Sequence, residues 1–154
     1  MSASRFAAIY DAILDTLNAD PTLASVTITD SLPITDDRLD RLVMIGNGGN
    51  PEDTRSGSSR QQYHDLAGAS SRRDETISIF CCVMAQTGDV DVSGTRTVAF
   101  GILASVEAAL RGNYNLGLTD VLRVEVVDIE VYTEQFGDGT AIRLPFTIEA
   151  TALI

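Results

Sequence analysis

The chain has 154 residues, of which 44% are hydrophobic and 21% charged, the size and make-up of one globular domain with a substantial core. It carries 22 acidic and 11 basic residues for a net charge of −11, and every basic residue is arginine. That balance argues against adhesion to nucleic acid or anionic membranes, because neutralising phosphates needs clustered Lys or Arg. No apolar run reaches the roughly 18–20 residues of a membrane span, and the start Met1–Arg5 passes into a polar-striped segment without a signal-peptide core. The expectation is a protein that stays soluble on the reducing side of a membrane.

From about Arg5 to Asn18, the residues Phe6, Ile9, Tyr10, Ile13, Leu14 and Leu17 recur at three- and four-residue steps, which predicts an amphipathic helix. Ser2 or Ser4 is placed to cap it, and Asp20-Pro21 stops it. Two short strands follow. In Ser25–Asp30, Val26 and Ile28 alternate with polar residues, whereas Leu42–Ile45 is an apolar run.

The segment 46–74 differs in kind. It is rich in Gly, Ser, Asn and Arg, and only Tyr63, Leu66 and a few alanines are suited to packing. A structureless stretch of this length points to function or disorder, so it is expected to be a flexible arm that orders against a partner. Four arginines, Arg55, Arg60, Arg72 and Arg73, lie in it, and with Tyr63 they are the candidate contacts to a partner or to a second copy.

Glu75–Gln86 reads as the strongest early strand, turned by Thr87-Gly88-Asp89. Its adjacent Cys81 and Cys82 point to opposite faces, which makes a mutual disulfide geometrically poor, and no further ligands for a metal stand nearby. A second helix is expected from about Thr95 to Arg111, capped by Ser93, with Gly112 at the left-handed position beyond its end. The tail forms a hairpin. Leu122, Val124 and Val126 alternate, the phase slips at Val127 as in a β-bulge, and Gly137-Asp138-Gly139 turns the chain. Alternation then resumes from Ile142 to Ile154. The order predicts a single α+β domain spanning 1–154, a mostly antiparallel β-sheet with two main helices packed on one face and a long flexible loop.

Each chemical motif that nearly appears lacks a residue its chemistry requires. Pro51 stands where a dinucleotide loop needs its third glycine, and the absence of lysine excludes a P-loop. Asp89–Gly94 resembles half of a calcium loop, but Phe100 occupies the position of the bidentate carboxylate. The single histidine, His64, has no nucleophile elbow to serve. Asp36-Asp37 reads as a solvated pair, and Asp128 with Glu130 as acids on one side of a strand. Neither an enzyme nor a cofactor nor a metal site is expected.

The layout of these elements is similar to that of the tail terminator, or tail completion, proteins of long-tailed bacteriophages. The resemblance is carried by the helix Phe6–Asn18 ending at Asp20-Pro21, the strand Glu75–Phe80 leading through Gly88-Asp89, the helix Arg96–Leu110 and the closing hairpin. It implies a virion protein of the tail and neck, assembled in the host cytoplasm. Such a protein forms a ring, typically of six copies, that caps the tail tube and meets the head-completion or connector protein. DNA would pass through the ring without specific binding, and Asp128 and Glu130 are the candidate channel-lining acids. Another head–tail connector or adaptor of the virion neck is the alternative, and a small hydrolase using His64 ranks last.

Overall fold

The computed structural model describes residues 3–33, 39–63 and 73–154. In chain order the elements are α1 (Phe6–Ala19), a 3-10 turn (Pro21–Leu23), β1 (Thr27–Asp30), β2 (Arg41–Ile45), β3 (Gly57–Tyr63), β4 (Arg73–Thr87), α2 (Val92–Gly112), β5 (Val121–Val127), β6 (Tyr132–Phe136) and β7 (Gly139–Leu153). The strands form one sheet, antiparallel except for the parallel pair β1–β2. The α+β class expected from the pattern is therefore the observed one.

Alternation along the two longest strands decides which face each helix covers. Ile77, Ile79, Cys81, Val83 and Ala85 of β4 are buried on one face, beside Ile142, Leu144, Phe146, Ile148 and Ala150 of β7. Against that face pack Ile9, Ile13 and Leu17 of α1 and Ala99, Ile102, Leu103, Val106 and Leu110 of α2. Burying each of the larger side chains contributes about 1.5–3 kcal/mol before entropy is counted. Both helices share this face, and among the described residues the opposite face carries none.

β4 and β7 pair from Asp74↔Leu153 to Thr87↔Thr140. Each long strand is flanked on its outer side by two short strands set end to end. β3 follows the first half of β4, and β2 the second, with β1 beyond it. β5 follows the last half of β7, and β6 the first. The two changeovers lie close together, at Phe80 on β4 and at Leu144–Phe146 on β7, which pair with Val83–Cys81 of β4. On the β7 side the reason is Pro145. Its carbonyl accepts the Glu130 N–H at 2.9 Å, so this residue presents its backbone to the β5–β6 edge, where proline has no N–H to continue a ladder.

The phase slip read from the sequence lies at this break. Val127 pairs with Thr147 and Tyr132 with Arg143, so five steps on the edge span four on β7. Asp128 takes a left-handed φ of 53° within the extra length. A second irregularity was not expected. The register shifts between Val121 and Arg123, which turns Val121 inward and leaves Leu122 49% exposed.

Three further expectations are corrected. Residues 57–63, taken as part of a structureless arm, form β3 in a continuous register from Gly57↔Ile79 to Tyr63↔Arg73. Its polar sequence suits a strand whose open-face side chains have no helix to meet. Residues 64–72, with His64, Leu66 and Arg72, lie outside the described residues, as do Asp36 and Asp37. The cap of α2 is Asp91, whose Oδ1 accepts the Gly94 N–H at 2.9 Å, and Ser93 is already helical. Gly112 is the last helical residue, and the left-handed positions come later, at Leu116 and Gly117.

One carboxylate ties the N-terminus to the sheet. Glu75 is fully buried and accepts hydrogen bonds from the hydroxyls of Ser4 and Ser59 and, at 2.7 Å, from the Arg5 N–H. Burial alone would raise its pKa, but these donors outweigh it and hold the carboxyl below the usual value. A lowered folded-state pKa means that the stabilisation is present above the unfolded glutamate value of about 4.3 and is lost as pH falls through the folded one. Glu75→Gln is expected to lose about 1–3 kcal/mol at neutral pH by chemical denaturation. It should also show a shallower loss of stability than wild type on acidification below roughly pH 4.3.

Candidate functional site

The helix-free face of the sheet falls into two regions. Beside β2 it is apolar, with Leu42, Met44 and Cys82 buried together under Leu39 and Met84. Along β3, the start of β4, the end of β7 and β5 it is polar, with Ser58, Arg60, Gln62, Thr76, Ser78, Glu149, Thr151, Arg123 and Glu125 on it by register. A sheet face with no covering layer stays in solution only if it is polar, and this half meets that condition.

The loop after β2 folds back over the apolar region. Gly49, at φ 77°, approaches so closely that a Cβ there would stand 2.9 Å from the Cys82 Sγ. Arg143 of β7 holds the loop in place. Its Nη1 donates to the Gly49 carbonyl at 2.6 Å, its guanidinium lies 4.6 Å from the centre of the Tyr132 ring, and Glu134 is 3.8 Å away.

Between this loop and the β5–β6 connection runs a cleft of about 240 Å3, set beside the points where the two sheet edges change strands. Phe80, Pro145 and Thr147 line it from the sheet, Gly48, Asn50, Asp53 and Arg55 from one side, and Asp128 and Glu130 from the other. The Arg55 guanidinium lies 5.3 Å from the centre of the Phe80 ring and 2.8 Å from the Asp53 carboxylate. Hydrogen bonds from the Arg55 side chain and backbone pull Asp53 down to about 2. The Tyr132 hydroxyl donates to Glu130 at 3.1 Å, and that bond with the Glu130 charge raises the tyrosine pKa. Three carboxylates against one guanidinium make the cleft acidic, with an aromatic floor.

The residues singled out in the sequence divide between two places. Arg55, Asp128 and Glu130 meet at the cleft. Asp128 and Glu130 do not share one side of a strand as expected, because they sit in the irregular connection opposite Pro145. Arg60 and Tyr63 lie on β3, and Arg73 opens β4 with its guanidinium 5.6 Å from the centre of the Tyr63 ring and its Nη1 donating to the Tyr63 hydroxyl at 3.2 Å. Arg72 lies outside the described residues. Asp89 and Asp91 accept backbone N–H bonds that make the turn and the cap before α2. Cys81 and Cys82 are free thiols on opposite faces, and burial pushes both up to about 12. Among the described residues, no three His, Cys, Asp or Glu side chains gather to hold a metal. The sequence reading missed Asp53, Phe80, Tyr132 and Arg143. The only signal for the last was an arginine two residues before a proline inside an otherwise regular strand.

No family model matches the chain, and no curated protein matches it. Among solved structures it is similar to a chain of the "Virion of native gene transfer agent (GTA) particle", at 15% identity and a TM-score of 0.64. The likeness covers 98% of this chain and 100% of that one, so the two share one fold from end to end.

Because Arg143 clamps the loop over the apolar region, Arg143→Ala should cost about 1 kcal/mol of global stability. The larger effect is expected in hydrogen exchange, which should quicken at the amides of 46–50 and leave β4 and β7 protected.

Proposed function

We propose that the chain is a structural protein of a phage-like virion, and within that class the subunit of a ring that terminates the tail tube and joins it to the head-completion or connector protein. The observation that carries this reading is the full-length likeness in fold to a chain of a gene transfer agent virion. Such particles are built from copies of small proteins that recognise one another by surface, and a helix-free sheet face with an acidic cleft at its waist suits that use. In the ring the helices face outwards and the polar sheet face lines the channel. The net charge of −11 keeps DNA from adhering as it passes, since like charge offers phosphates no counterion to release. A virion neck connector is the second reading, because the similar chain belongs to a whole virion particle.

Removing the gene from its phage and imaging the particles tests the reading. Overlong, headless tubes are expected for a terminator. Tails of normal length lying beside unjoined filled heads would move the protein to the neck, and normal infective particles would contradict any virion role. In the same system Asp128→Lys with Glu130→Lys should leave the protein folded and slow DNA passage, whereas unchanged infectivity would remove these acids from the channel.

A further inference from the structure

We propose that copies of this chain join edge to edge through β3 of one and β6 of the next, antiparallel, with Arg60 set against Glu134. The proposal rests on the ring reading and supplies its joint. β3 and β6 stand on opposite outer edges of the sheet, and among the described residues each is paired on one side only. A strand with free backbone N–H and C=O groups is a template for another strand, and neither edge carries a proline or lysine to block it.

The two edges differ in charge in a way that suits them to each other rather than to themselves. Residues 128–138 carry Asp128, Glu130, Glu134 and Asp138 with no basic residue, and all of β6 is exposed. β3 carries Arg60 and no acid. Pairing β6 with another β6 would set carboxylates together, whereas β6 against β3 sets them against arginine.

Direction and register agree with this choice. β3 is antiparallel to β4, β4 to β7 and β7 to β6, so β3 and β6 run in opposite senses within the chain. A second copy in the same orientation therefore offers its β3 antiparallel to β6 once it is set beside the first and displaced along the strands. The displacement is the ten residues from Thr76 to Gln86, the levels of Arg60 and Glu134, so the strands of a closed ring run oblique to its axis. Arg60 shares a level with Thr76 and Glu134 with Ala141, both on the helix-free face, so the faces of the two copies coincide. The register Arg60↔Glu134 then places Ser58 opposite Phe136 and Gln62 opposite Tyr132, a small residue against an exposed ring and an amide against another. Val131, 48% exposed beside this edge, falls opposite Tyr63 and becomes covered. Because the joint uses two different surfaces, each copy keeps one edge free, and rotation closes the series into a ring.

Cross-linking tests this joint directly. The native Cys81 and Cys82 are fully buried, so Ser58→Cys with Phe136→Cys adds the reactive pair. Mild oxidation, alone or with tail-tube protein, should give covalent multiples of 16.5 kDa, and neither single variant should. Without the added cysteines, Arg60→Glu and Glu134→Arg should each raise the half-assembly concentration measured by light scattering about tenfold, and the double exchange should restore it. A ring that still forms with no cross-link and no effect of charge reversal overturns the edge joint and leaves the ring reading standing. Wild-type protein that stays monomeric under every condition overturns both.

Discussion

The antiparallel pairing of β4 with β7 is the constraint on which the rest of the fold depends. It runs unbroken from Asp74↔Leu153 to Thr87↔Thr140, and the other strands attach to one or the other of these two, β1 through β2. Alternation along so long a pair makes a division that nothing else in the chain can undo: Ile77 to Ala85 and Ile142 to Ala150 face one way, and Phe80, Cys82, Arg143, Pro145 and Thr147 the other. A slip of one residue would exchange the two sets and turn Arg143 into the core.

Both unusual features of the molecule follow from how this pair is flanked. The helices cover the apolar side, where α1 and α2 share one core with both long strands. The other side must be polar or be covered by loops, and both solutions occur, the first beyond β3 and β5 and the second where Arg143 clamps Gly49 over Cys82. The long strands also outrun their neighbours, so each edge needs two short strands. The acidic cleft lies beside the junctions between them, lined by Phe80, Pro145 and Thr147. The fold thus places a charged, aromatic-floored groove at the middle of a helix-free face.

How much of this was legible depends on whether a residue's partners lie nearby in sequence. Ile9, Ile13 and Leu17 repeat at helical spacing and declare α1 unaided, and Ile142 to Ala152 alternate so regularly that β7 could be read to its end. β3 could not be read. Ser58, Arg60 and Gln62 face the open side, and Ser59 answers to Glu75, so the strand carries no hydrophobic period and exists through its ladder to β4. The slip at Val127 signalled an extra residue, but not that Pro145 would set its place or that Asp128 and Glu130 would leave the strand and line a cleft. Arg143 and Gly49 are separated by 94 positions, and nothing local announces their bond. The acids and Arg55 were legible as candidates, whereas the groove that gathers them was not.

The proposed working surface of the ring is the helix-free face, and a cryo-electron microscopy reconstruction of the native assembly measures this most directly. The account predicts a closed ring with α1 and α2 on the outside and the face bearing Thr147, Glu149 and Arg123 towards the lumen. A ring whose lumen is lined by the helices, with this sheet face turned outwards or buried against a neighbour, would contradict it.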